Sequence, residues 1–168
     1  MVQIFNFHIG RADKAEPSVL SAGEAYILWN NILTRYDNIE KTQFYLNLIH
    51  DPDFKYFAAK GLKDTLERQV VELEKLMEKY KLPLPYRPPQ SISLQVDSEV
   101  LNDRYMFRDI MSGIENLMTI LTHTVRTYVT NDVLRGLAIK NLHTEIEIYD
   151  DMCKFGKLKG WLVPPPMK

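Results

Sequence analysis

The 168-residue chain has one cysteine, seven glycines, almost no net charge and no long apolar run, and each shortage excludes a class of function. With Cys153 alone, no internal disulfide can form and a zinc site of several thiolates is ruled out. Beside Met152 at a helical position, Cys153 reads as a packing residue. Seven glycines leave little room for tight functional loops: there is no phosphate-binding glycine loop, no Gly-x-Ser-x-Gly elbow and no His-Glu-x-x-His. No catalytic residue is expected, and the protein is expected not to be an enzyme. Twenty-one basic against 22 acidic residues create no field that would draw in a nucleic acid or an anionic membrane. No stretch approaches the roughly 18 apolar residues of a membrane span. The opening residues, Met1–Gly10, have neither the basic flank nor the apolar run of a secretory signal. Synthesis in the cytoplasm is therefore expected.

What the sequence does have is helical periodicity. Forty-five per cent of residues are hydrophobic and 26% charged, ordinary for a globular chain, and the length suits a single domain over residues 1–168. Ser21 stands three residues before Glu24, a capping-box signature, and Leu28, Ile32, Ile39, Leu46 and Ile49 follow on one face. The first helix is thus predicted over about Ala22 to His50. Asp51-Pro52-Asp53 breaks it and caps a second helix, from about Pro52 to Tyr80, whose inward stripe includes Phe54, Phe57, Ala58, Leu62, Leu66, Leu73 and Leu76. Four prolines between Leu82 and Gln90 forbid helix and predict an extended crossover over about 82–97. From Asp97 the helical pattern resumes through Phe107, Met111, Ile114, Met118, Leu121, Val125 and Tyr128. After the break at Thr130-Asn131-Asp132, a fourth helix is predicted from about Val133 to Phe155, ended by Gly156 and followed by Pro164–Pro166.

Shifting the second half onto the first by about 79 residues aligns Tyr26 with Tyr105, Asp53 with Asp132, Thr65 with Thr144 and Pro85 with Pro164, and brings the helix breaks into register. The expectation is an all-α, ferritin-like four-helix bundle made of two repeated αα-hairpins, about 21–85 and 98–166, joined by a long proline-rich crossover.

A carboxylate-bridged metal pair in such a bundle needs Glu-x-x-His on two helices. Glu67, Glu72 and Glu74 lack the histidine, and Lys140 stands where the glutamate before His143 would be. No metal or other cofactor is expected. The alternative is an irregular metal or ligand set drawn from Glu115, His123, Asn141, His143, Glu145 and Glu147. Arg35, Tyr36, Gln43, Thr65 and Gln69 lie close to the apolar stripes and read as a buried hydrogen-bonding network that fixes helix register. Met106, Met111, Met118 and Met152 read as core; the alternative is a regulator that binds a partner helix in a groove between the hairpins lined by these methionines. Aromatics outside the helices, Phe5, Phe7, Tyr86 and Trp161, either cover the bundle ends or dock on another subunit.

The stretch His143-Thr-Glu-Ile-Glu-Ile-Tyr149, with Met152 and Gly160-Trp161, resembles the closing helix of the spore coat protein F-like family of endospore-forming bacilli, and residues from about Ser21 to Pro166 resemble related proteins with tandem ferritin-like hairpins. The resemblance implies a ferritin-like bundle deposited in, or associated with, the spore coat. It supplies no catalytic residue, and Lys140 departs from the Glu-x-x-His common in the closing helix of that family. The expected role is a structural or assembly protein, homo-oligomeric and most simply a dimer, with other coat proteins as further partners and no nucleic acid.

Overall fold

A computed structural model describes residues 2–4, 7–9, 14–93 and 101–162. Phe5, Asp97 and the Pro164–Pro166 run, all invoked above, lie outside the described residues. The capping box forms as read: the Ser21 hydroxyl accepts from the Glu24 N–H while the Glu24 carboxylate accepts from the Ser21 N–H, opening α1 (Ala22–Leu46). The Asp51 carboxylate accepts from the Asp53 and Phe54 N–H groups and Pro52 occupies the first turn, opening α2 (Pro52–Gly61). A π-helical turn, Leu62–Glu67, joins α2 to α3 (Arg68–Lys79) without a break in right-handed backbone. The Asn102 and Asn131 side chains cap α4 (Asp103–Thr127) and α5 (Asp132–Lys159). Four helical rods result: α1, the α2–π–α3 rod, α4 and α5.

Two predicted boundaries are corrected. The first helix stops at Leu46, not His50, although Leu48 and Ile49 are buried. The chain leaves the helix because the Asp103 carboxylate takes the His50 and Asp51 N–H groups at 3.0 and 2.6 Å, turning that backbone toward the start of α4. The last helix runs to Lys159 and does not end at Gly156. Gly160 is the residue in the left-handed conformation (φ 67°), and the Trp161 N–H returns to the Gly156 carbonyl at 2.9 Å, which closes the helix in a Schellman motif. Gly156 is glycine for a different reason: a Cβ there would stand 2.5 Å from the Phe107 ring and 2.8 Å from Leu162.

A short antiparallel hairpin, β1 (Val2–Ile4) with β2 (Phe7–Ile9), precedes the bundle; helical periodicity gave no sign of it. The proline-rich segment is extended and is tied to α1 by the Gln43 and Asn47 amides, which donate to the Gln90 and Ile92 carbonyls at 3.0 and 2.9 Å. One part of the core gathers Leu28, Ile32 and Tyr36 of α1 with Val70, Leu73 and Met77 of α3. Another gathers Phe54, Met106, Phe107 and Met152, with Phe155 and Trp161 packed against them, so the second tryptophan covers one end of the bundle. Among the described residues no helix is long and apolar enough to cross a membrane.

Candidate functional site

Four rods facing one axis bring their inward polar residues to a single level. Asn31 and Arg35, one turn apart on α1, meet Gln69 at the start of α3, Thr124 on α4 and Glu145 on α5; all five are buried. The Arg35 guanidinium donates through Nε to Gln69 Oε1 (3.0 Å) and through Nη1 to Asn31 Oδ1 (3.3 Å). The Gln69 amide passes the chain on, donating to Glu145 Oε1 at 3.1 Å. On the other side, Asn31 donates to the Ile27 carbonyl and to the Thr124 hydroxyl, which itself donates to the Ile120 carbonyl. The layer thus ties α1 directly to α3 and α4, and α3 to α5.

Its electrostatics follow from burial. Arg35 is completely buried, and loss of solvation lowers its pKa to about 10, so it stays charged at neutral pH. Loss of solvation pushes the Glu145 carboxyl above its ordinary range, while the Arg35 charge and the Gln69 hydrogen bond pull it back. One cation and one carboxylate with an amide between them balance the charge of the layer. Arg35 Nη2 has no hydrogen-bond partner among the described residues.

The π turn positions one member of this layer. Its wider turn shifts the phase of α3 relative to α2, so Thr65 and Gln69 both face inward along with Leu62, Val70 and Leu73. On the Glu145 side lies a cavity of about 70 Å³ bounded by α1, α2, the π turn, α4 and α5.

The alternative metal set is not assembled. Glu115 and His123 on α4, and His143 and Glu147 on α5, are exposed; Glu145 and Asn141 face the interior. Glu115 accepts from the Tyr149 hydroxyl at 3.2 Å, and Lys140 turns outward to Glu72 at 2.9 Å. Among the described residues no three His, Cys, Asp or Glu side chains are grouped to hold a metal. The residues at the bundle centre do not fit a carboxylate-bridged metal pair: one carboxylate, two amides and a hydroxyl surround a fixed guanidinium, which would repel a divalent cation at that level. Arg35 and Gln69 were legible in the sequence as inward polar residues. Asn31 and Thr124 were missed, though each carried a signal: Asn31 falls between Leu28 and Arg35 and Thr124 between Leu121 and Tyr128 at helical spacing.

Residues 12–168 match the model of DUF3231, a family described as proteins of unknown function. The chain belongs to this family. No curated protein matches the sequence. Solved structures similar to this DUF3231 chain include a candidate spore coat protein of Bacillus halodurans, with a TM-score of 0.83, 19% identity and coverage of 89% of this chain and 96% of the other. A conserved hypothetical protein of Mycobacterium tuberculosis aligns with a TM-score of 0.67 and 13% identity, over 88% of this chain and 98% of that one. A two-domain protein of Anabaena variabilis, with DJ-1/ThiJ/PfpI-like and ferritin-like domains, aligns with a TM-score of 0.66 and 13% identity, over 88% of this chain and 40% of that one. At such identities the likeness concerns the fold: the DUF3231 chain is a helical, ferritin-like bundle preceded by the short β1–β2 hairpin.

Proposed function

We propose that the protein is a non-enzymatic structural or assembly protein, made in the cytoplasm and deposited in the spore coat as a homo-oligomer. The observation that carries this reading is the polar layer. The level of the bundle where a ferritin-like protein would place its chemistry is occupied by a charge-balanced, hydrogen-bonded network whose members join helices to one another. Such layers set helix register and partner choice at some expense of stability, which suits a building block. The spore coat assignment rests on the likeness of the closing segment to the spore coat protein F-like family and on the fold shared with the candidate coat protein of Bacillus halodurans. Ile139, His143 and Ile146 are exposed on successive turns of α5, a helix face suited to a subunit contact.

The test is immunodetection in coat extracts of purified, lysozyme-washed spores of the host bacterium, against cytosol from growing cells. The protein is expected in the coat extract. Its presence only as soluble protein of growing cells would overturn the coat assignment.

A further inference from the structure

Glu145 is 2% exposed, and among the described residues only Gln69 donates to its carboxylate, at Oε1. A desolvated carboxylate has several lone pairs to satisfy, and leaving them without donors is costly. This carboxylate also lines the cavity of about 70 Å³. The remaining wall offers it little: Phe54, Leu62, Ile114 and Leu117 are apolar, the Thr42 hydroxyl is committed to the Asn38 carbonyl at 2.7 Å, the Lys41 ammonium is paired with Asp109 at 3.1 Å, and the Thr65 hydroxyl, also on the wall, makes no hydrogen bond to Glu145 among the described residues. On the solvent side the wall is made by Gly61 of α2, Gly113 of α4 and Lys41. A Cβ at Gly61 would meet nothing within 4 Å, and one at Gly113 only the ends of Lys41 and Asn38, at 3.7 and 3.8 Å. The space between these helices is therefore left open by missing side chains, with an acceptor at its inner end.

From this geometry we infer that the cavity binds a small, uncharged alcohol, whose hydroxyl donates to Glu145 and whose alkyl body lies against Leu62, Ile114 and Leu117. The charge of the ligand follows from the layer behind it. Arg35 already balances Glu145, so an ammonium group would bring an uncompensated buried cation, and a carboxylate would face Glu145. The size follows from the volume, which is about half that of a cavity of ~150 Å³ able to hold benzene. A body of a few carbons fits.

This site is independent of where the protein resides. Titration of the full chain with linear primary alcohols from ethanol to 1-hexanol, followed by the methyl NMR signals of Ile114 and Leu117, tests it. Affinity is expected to rise about fourfold per methylene until the cavity is full, then level off. 1-Fluorobutane, which lacks the donor, is expected to bind about tenfold more weakly than 1-butanol, or weaker still. Gly113→Leu should place a side chain across the opening and weaken 1-butanol binding by about tenfold or more without loss of helical circular dichroism, since only flexible side-chain ends must give way. No saturable shift of these methyls, equal binding of the fluoride and the alcohol, tighter binding of butylammonium, or undiminished binding in the folded Gly113→Leu protein would each overturn the assignment.

Discussion

Replacing Arg35 with methionine is expected to destabilise the folded chain by about 3–5 kcal/mol at pH 7, because it leaves a buried carboxylate without its counter-charge. Two further acceptors, Asn31 Oδ1 and Gln69 Oε1, lose their donor in the same step. The pH dependence has a definite sign. Burial already raises the Glu145 pKa above the ordinary 4.5, and Arg35 opposes that rise, so its removal raises the folded-state pKa further. A carboxyl whose pKa is higher folded than unfolded favours the folded state most when protonated, below its unfolded pKa, and this contribution is lost as pH rises through the folded pKa. The deficit of Arg35→Met relative to the parent should therefore be smaller at pH 4 than at pH 8, as read from urea unfolding at both values. Pairing the change with Glu145→Leu should recover much of the loss, since an apolar replacement of both charges removes the unbalanced one. A loss independent of pH and unrelieved by the second change would mean that the two charges do not sense each other.

Phe54→Ala is expected to cost about 3–5 kcal/mol and lower the unfolding temperature by roughly 10 °C. Phe54 is fully buried and its ring meets three others: Phe107 and Trp161 edge-on, at 6.0 and 5.4 Å between centroids, and Phe155 at 6.1 Å. It sits in the first turn of α2 and faces the far end of α5 and the residues after it, so its removal opens a void where both hairpins close. Thermal unfolding followed by far-ultraviolet circular dichroism reads this directly. A change of less than about 1 kcal/mol would show that the aromatic cluster is not a principal contact between the hairpins.

The sequence made the bundle legible because its signals are local. Ser21 with Glu24, Asp51 before Pro52, and Asn131 before Asp132 each state a helix start through hydrogen bonds a few residues long, and the structure contains all of them. Glycine was less legible. In the sequence Gly156 has the mark of a helix stop, yet its role is to admit the Phe107 ring, a contact with a residue 49 positions away, whereas Gly160 is the stop. A missing side chain has the same letter whether the need is for a left-handed backbone or for space. The π turn left no trace either, since Leu62 and Leu66 are equally compatible with an unbroken α-helix and only packing selects the wider turn.

The site was half legible for a related reason. Spacing along α5 places His143 and Glu147 on a common face, but it does not say which face looks inward. Leu134, Ala138, Asn141, Glu145 and Met152 do so, and His143 and Glu147 fall to either side of Glu145 on the exposed surface. Arg35 and Gln69 could be read as network members because polar residues in the phase of an apolar stripe have few other places to go. Their partners on α4 and α5 depended on how the two hairpins dock.

The proposed function rests on a polar layer with its own fixed cation at the centre of the bundle, where a ferritin-like metal centre would stand. Its most direct test is elemental analysis by mass spectrometry of the full chain purified without chelator, paired with thermal unfolding before and after chelation. Far less than one metal ion per chain and no change in unfolding temperature are expected. A pair of metal ions at full occupancy, with destabilisation when they are removed, would contradict it.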